Sequence, residues 1–331
     1  MSRGDKTSAD DGRSARVCLI LACTALGLAI AVTAFTLLDR GRIRFSPEAT
    51  VDLQPCVEAL ENVSPPPPAA TSVLRVAIAP VISPEASLEL YADLIACIAD
   101  SVGMKPVLLR GKNYSEVNDL IRMRQCDVAM VCTYSYVLAQ AGFDVRLLAA
   151  PEIDGQRVYH SLIIVPATSK VVALSGLKDR RFASCDVLST SGWLYPVVAL
   201  KRQGIDAEGF FGKHIISGSH DRSVFAVKSG VVDAAAVDSI VYEHMLNMQP
   251  SLKAELKVIH RSPPFGMPPL VVPADLPPDQ FARMQQVLLT MHTEKAGQRI
   301  LKSLGFDRFF APQDEDYDSV RDLHVSWTSH P

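Results

Sequence analysis

Leu188-Ser189-Thr190-Ser191-Gly192-Trp193, followed by Ser217-Gly218-Ser219-His220-Asp221-Arg222-Ser223-Val224, is the pair of stretches that decides the fold. Each sets small hydroxyl residues or a histidine just ahead of a run with helical apolar spacing. Unpaired backbone N–H groups and the positive end of the helix dipole attract an anion there. Each stretch also follows a short β-rich run, at residues 181–186 and 213–216. Strand, hydroxyl-rich turn and helix, twice in succession, predict an α/β fold whose strand ends form a socket for a small oxyanion.

The same alternation extends outward in both directions. Residues 74–80 (LRVAIAP) read as a strand, and 88–102 as a helix with Tyr91, Leu94, Ile95 and Ile98 on one face. A strand at 105–110, a helix at 114–124, a strand at 127–132 and a helix at 134–141 follow. Strands at 145–150 and 159–165 flank a turn at Asp154-Gly155, the second leading into another lobe. Residues 193–203 and 220–229 read as helices, and 232–237 as a strand. Residues 257–261 then return the chain through Ser262-Pro263-Pro264-Phe265-Gly266-Met267-Pro268. Helices at 278–290 and 294–304 are expected to finish the domain. The alternation predicts largely parallel sheets.

Ser189-Thr190-Ser191-Gly192 with Pro196, then Ser219-His220-Asp221-x-Ser223-Val224-x-Ala226-Val227-x-x-Gly230-x-Val232-Asp233-Ala234-Ala235-Ala236-Val237-Asp238, resembles the phosphate/phosphite/phosphonate substrate-binding proteins of ABC importers. The resemblance runs from about Leu74 to about Phe310. It implies a two-lobed type II periplasmic-binding fold, with lobe 1 at about 73–158 and 265–331 and lobe 2 at about 159–264. The ligand would sit between lobes that close by a hinge.

The resemblance also implies the site. Ser189, Thr190, Ser191 and His220 would contact the anion, His220 with charge assistance if the bound anion favours its protonation. Tyr114, in Asn113-Tyr114, and Tyr159, in Tyr159-His160-Ser161, would wall the cleft. Asp238 falls near an acidic ligand position. Cys132-Thr133-Tyr134-Ser135 forms a third strand-to-helix junction, at which Thr133 and Ser135 could donate. For each residue taken singly, helix capping or core packing stays open. Aminoalkylphosphonate binders would carry an Asp where Pro268 stands and a Glu near Asp238-Ser239-Ile240, where this chain has none. A buried ammonium without a carboxylate is costly, so the reading favours phosphate, phosphite or a simple phosphonate.

Composition fits such a protein. The chain has 331 residues, 48% of them apolar, and a formal charge of −3, enough for two modest lobes and with no basic run suited to nucleic acid. Residues 17–38 (VCLILACTALGLAIAVTAFTLL) are uncharged and apolar, long enough at ~1.5 Å per residue to cross a ~30 Å hydrocarbon core. They read as an uncleaved single-pass anchor in the inner membrane, with residues 1–16 as a cytoplasmic tail. Cleavage near Ala22-Cys23 or Ala29–Ala34 is the alternative. Residues 39–72, with Pro65-Pro66-Pro67-Pro68, read as a spacer that holds the 73–331 domain off the membrane. Cys56, Cys97, Cys126, Cys132 and Cys185 follow the anchor without metal or redox spacing, and most suit buried apolar positions.

The leading function is therefore a membrane-tethered, extracytoplasmic binding protein that passes an oxyanion to an ABC permease, needing neither cofactor nor metal. An oxyanion or arsenite sensor working with a histidine kinase is the alternative, with Cys132 as a soft donor. A hydrolase built on His220, Asp221 and a serine is disfavoured, because adjacent His and Asp at a helix start point apart and no Gly-x-Ser-x-Gly elbow occurs.

Overall fold

The computed structural model describes residues 72–329. The apolar run 17–38, the spacer 39–71 and Cys56 lie outside the described residues. Among the described residues no helix is long and apolar enough to cross a membrane.

The fold opens on β1 (Val73–Ile78), whose β-branched and aliphatic residues suit a strand covered on both faces. α1 (Pro84–Ser101), with a proline in its first turn, crosses to β2 (Lys105–Arg110). α2 (Tyr114–Arg122) starts at Asn113, whose side chain accepts the Glu116 N–H at 2.8 Å. It buries Tyr114, Val117 and Ile121. β3 (Val128–Met130), α3 (Thr133–Phe143) and β4 (Val145–Glu152) complete the outward half of this lobe. β5 (Val158–Tyr159) then leads into the other lobe.

That lobe contains β6 (Ser161–Pro166), β7 (Arg181–Ser184), α4 (Tyr195–Lys201), β8 (Lys213–Ile216), α5 (His220–Lys228) and β9 (Ala234–Asp238). α6 (Ser239–Met248), α7 (Leu252–Glu255) and β10 (Leu256–Arg261) follow. Phe182 stacks on Phe211 with ring centroids 4.1 Å apart, a pairing that adds about 0.5–1.5 kcal/mol beyond its area burial. β11 (Phe265–Gly266) pairs antiparallel with β5, so the outgoing and returning chains cross side by side. A Cβ at Gly266 would lie 2.5 Å from the Asp316 carbonyl oxygen, which explains the glycine at this crossing. β12 (Leu270–Pro273), α8 (Pro278–Thr290), α9 (Lys295–Leu304), β13 (Arg308–Phe310) and α10 (Asp318–Thr328) end the domain.

The strand orders are β13-β4-β12-β3-β1-β2 and β10-β6-β9-β7-β8. Each sheet is mixed but keeps the parallel majority that the alternation predicts: β1–β4 point one way in the first sheet and β7–β10 in the second. β1 pairs in parallel with β2 and β3, but the returning β12 inserts between β3 and β4 and runs antiparallel to both. In the second sheet β7 is parallel to β8 and β9, whereas β6 is antiparallel to β9 and β10. The opposed strands flank the crossings: β12 and β13 follow the return into the first sheet, and β6 follows the outward crossing into the second.

The expectation that α8 and α9 finish the domain is corrected. α10 packs against both lobes: the Tyr134 hydroxyl of α3 lies 2.9 Å from His324 Nδ1, and Lys201 Nζ of α4 donates to the Ser326 carbonyl at 2.9 Å. Its Val320 and Leu323 are buried.

Candidate functional site

Three helix starts converge where the lobes meet. On one side β3 runs into α3 through Cys132, so the first turn of α3 presents Thr133 and the Tyr134 N–H. On the other side β7 ends at Ser184, and Ser189 caps a single wide turn, Thr190–Leu194, that continues as α4. In that turn the Tyr195 N–H bonds the Thr190 carbonyl, a π-type closure that the simple helical reading of 193–203 did not foresee. The Ser189 hydroxyl accepts the Gly192 N–H at 2.9 Å. A Cβ at Gly192 would stand 2.8 Å from Cys185 Sγ and 3.0 Å from Ser189 Oγ, so the backbone can approach this closely only as glycine. His220 opens α5.

Thr190 is the hub. Its Oγ1 lies 2.6 Å from Thr133 Oγ1 and accepts the Tyr134 N–H at 2.9 Å. Its own N–H points at Cys132 Sγ, 3.4 Å away, and the sulfur is 3.6 Å from Thr190 Oγ1. Tyr159 closes the group with its hydroxyl 2.8 Å from Thr133 Oγ1. Ser161 Oγ donates to the Ser191 carbonyl at 2.6 Å and so ties the turn to β6. Tyr114 meets the second lobe through its N–H, which donates to Asp186 Oδ2 at 3.0 Å, and through its hydroxyl, 3.8 Å from Cys185 Sγ. The hydroxyls of Ser135 and Ser191 are buried with no hydrogen-bond partner. Buried hydroxyls are rarely left unpaired, so each of these two keeps hydrogen-bonding capacity that no protein group uses.

His220 is held from three directions. Its N–H donates to the Val81 carbonyl at 2.9 Å, and its Nδ1 accepts the Asp238 N–H at 3.1 Å. With Nδ1 an acceptor, the ring proton of the neutral imidazole is on Nε2, 3.2 Å from Cys185 Sγ and 3.4 Å from Ser189 Oγ. Burial lowers the His220 pKa to about 3, although Asp221 pulls it the other way. In this arrangement His220 is a neutral Nε2–H donor, and the charge assistance expected with a bound anion would require protonating Nδ1, which here accepts the Asp238 N–H.

Asp238 reaches the cluster through its backbone. Its carboxylate caps α6 by accepting the N–H groups of Ile240 at 2.7 Å and Val241 at 3.4 Å, and burial raises its pKa to about 7. Asp221 faces elsewhere, taking the Ser219 hydroxyl and the Ser83 N–H at 3.2 Å. This geometry speaks against a Ser-His-Asp triad.

His220 and Asp238 have opposite effects on stability. The unfolded chain protonates His220 below its ordinary 6.5 and the folded chain only near 3, so this group costs stability as pH falls across that range. Folded Asp238 keeps its proton up to about 7 while the unfolded carboxyl loses it near 3.8, so this group costs stability as pH rises between those values. Asp238→Asn keeps the capping oxygen and should remove only the second effect. Its melting temperature relative to wild type should climb from about pH 4 to 7 and then level off. A difference independent of pH would mean that Asp238 is ionised throughout.

Sequence reading missed four participants: Cys185, Asp186, Ser161 and the Val81 carbonyl. Cys185-Asp186 sits at a strand end just before Ser189, a position that could have signalled them. Ser161 stood in the quoted Tyr159-His160-Ser161 segment, which could have signalled it, and Val81 gave no local signal. Cys97, Cys126, Cys132 and Cys185 are all free thiols. A cavity of about 420 Å³, which shares Val81 and Asp238 with the cluster, is lined among others by Pro268 and by Asp238, Ser239 and Ile240.

Residues 76–317 match the family described as ABC transporter, phosphonate, periplasmic substrate-binding protein. The chain is 27% identical over 196 residues to a probable ABC transporter phosphite binding protein, PhnD1, of Prochlorococcus marinus strain MIT 9301, covering 57% of this chain and 64% of that one. It therefore spans just under two thirds of that relative. It is 25% identical over 252 residues to the phosphonates-binding periplasmic protein of Escherichia coli K12, covering 73% of this chain and 74% of the relative. The solved structure of Prochlorococcus marinus PhnD1 in complex with methylphosphonate superposes with a TM-score of 0.70 at 22% identity, over 77% of this chain and 98% of that one. This likeness shows the two-lobed α/β periplasmic-binding fold.

Proposed function

The chain belongs to the phosphonate family of periplasmic substrate-binding proteins of ABC transporters, and from that premise we propose that it captures a phosphate, phosphite or simple phosphonate ion between its lobes for an ABC permease. The observation that carries this reading is the convergence of Thr133, Thr190 and His220 at three helix starts, with the Ser135 and Ser191 hydroxyls buried and unpartnered beside them. Hydroxyls, helix-start N–H groups and a neutral imidazole can stabilise an oxyanion in a dry cleft without a full countercharge. The family consists of binding proteins, not enzymes, and the orientation of Asp221 agrees with that.

A thermal-shift screen of the full-length protein against phosphate, phosphite, methylphosphonate, sulfate and arsenate tests the reading. A phosphorus oxyanion present at about 100 times its Kd should stabilise the fold by ~2.7 kcal/mol. No response to any phosphorus oxyanion would sink it.

One observation supports a second reading, in which the protein senses arsenite for a histidine kinase: the Cys132 sulfur occupies the site itself, against the Thr190 N–H. Under the transport reading Cys132→Ser should leave phosphorus-oxyanion affinity within about twofold. Under the sensor reading wild type responds to arsenite and Cys132→Ser does not, because oxygen replaces the soft sulfur.

The membrane tether belongs to the same proposal and rests on the uncharged run 17–38. The full-length chain should stay in the membrane fraction after carbonate washing. A mature N-terminus beginning just after Ala22 would replace the anchor by a lipid.

A further inference from the structure

We propose that α10 is a strap that holds the two anion-binding helices, α3 of one lobe and α4 of the other, to each other, and that Lys201 and His324 are positioning residues for the bound ion. The inference rests on the oxyanion reading and adds residues that act on the ion only through the helices they hold.

α10 is fixed at three points. Its leading turn, Asp314–Tyr317, sits on the return crossing, where the Tyr317 hydroxyl donates to the Met267 carbonyl at 3.1 Å, and on α3, where the Tyr136 hydroxyl donates to Asp314 at 2.5 Å. Midway along α10, His324 Nδ1 lies 2.9 Å from the Tyr134 hydroxyl of α3, with the ring centroids 5.6 Å apart. At the tip, Lys201 Nζ of α4 donates to the Ser326 carbonyl at 2.9 Å, to the Trp327 carbonyl at 3.4 Å and to that of Ser329. The last carbonyls of a helix have no partner within it and carry the negative end of its dipole. α10 has no basic residue in its own last turn, so a cation from the other lobe supplies the cap.

Both helices that α10 joins begin at the anion site. Tyr134 makes the link on one side, since its N–H donates to Thr190 Oγ1 while its hydroxyl reaches His324. On the other side the turn Thr190–Leu194 runs directly into α4, which ends at Lys201. A strap across these two helices favours the arrangement in which Thr133 and Thr190 meet at 2.6 Å. With the base of α10 fixed to α3 and the crossing, Lys201 is the joint that opening has to break. A held ion leaves through the open form, so the strap slows its release.

Stopped-flow release of methylphosphonate and of phosphate from the full-length protein tests this, with tryptophan fluorescence as the signal. The chain has two tryptophans, Trp193 in the turn at the site and Trp327 at the tip of the strap. Lys201→Met keeps the aliphatic stem and removes the ammonium. Release should then quicken about three- to tenfold and calorimetric affinity fall by the same factor, with association within about twofold of wild type. Lys201→Arg, which can again donate to the carbonyls, should bring release back to within about twofold of wild type. His324→Phe keeps the ring contact, loses Nδ1 and should quicken release less. The double variant should release the ion no faster than Lys201→Met alone, because a strap already detached from α4 has no hold left to lose. Contacts that serve folding alone behave otherwise: they lower the fraction of binding-competent protein and leave release from folded molecules unchanged. Wild-type release in both single variants, or effects that multiply in the double variant, overturns the strap while the oxyanion site stands. If Lys201→Met does not fold, His324→Phe carries the test, and wild-type release in it overturns the strap. If no phosphorus oxyanion binds at all, the oxyanion reading and this proposal fall together.

Discussion

His220→Ala should weaken phosphorus-oxyanion binding by about ten- to a hundredfold and lower folding stability by roughly 2–4 kcal/mol. The affinity loss follows from removing a neutral Nε2–H donor that sits beside Ser189 Oγ and Cys185 Sγ. The stability loss has two sources: a space left where a buried ring stood, and an Asp238 N–H left without its acceptor. The two effects can be separated. An asparagine places its amide oxygen near the position of Nδ1, so His220→Asn should recover much of the stability and little of the affinity. His220→Gln, which reaches toward Nε2, should do the reverse. Calorimetric titration together with denaturant unfolding checks both, and wild-type affinity in His220→Ala would remove the residue from the site.

Thr190→Val should cost binding about 1–3 kcal/mol, again ten- to a hundredfold, with little change in shape. The methyl that replaces the hydroxyl can neither donate to an anion nor accept the Tyr134 N–H at 2.9 Å, and it leaves Thr133 Oγ1 without its 2.6 Å partner. Because these bonds join residues of opposite lobes, the variant should also close less readily. Small-angle scattering at saturating ligand should then give a larger radius of gyration than wild type. Thr190→Ser keeps the oxygen and should bind nearly as wild type does. Unimpaired binding in both Thr190→Val and His220→Ala would refute the proposed site, leaving the fold untouched.

Much of this site is legible in the chain because its parts are local. A helix start is defined by a few consecutive residues, so Ser189-Thr190-Ser191-Gly192 and Ser219-His220 reveal two anion-facing N-termini without any tertiary information. The same locality makes β1, β2, β8 and α5 readable from apolar periodicity. β12 and α10 escaped: β12 is four residues that follow a proline pair and end on Pro273, and α10 turns only sparse apolar side chains, Val320 and Leu323, inward.

What the sequence by itself determined is the class of the protein: an α/β binding fold with donors at its helix starts and the phosphonate family pattern across them. Tertiary structure alone decided how those donors are used. Thr190 meets Thr133 across 57 positions of chain, Tyr114 meets Asp186 across 72, and the proton of His220 is assigned by an N–H eighteen residues away. No periodicity or spacing encodes such pairs. They arise where two sheets meet beside the β5–β11 crossing, and burial there makes each polar atom find a partner or remain orphaned. The mixed order of the first sheet and the apolar cavity both depend on where the returning chain enters that lobe.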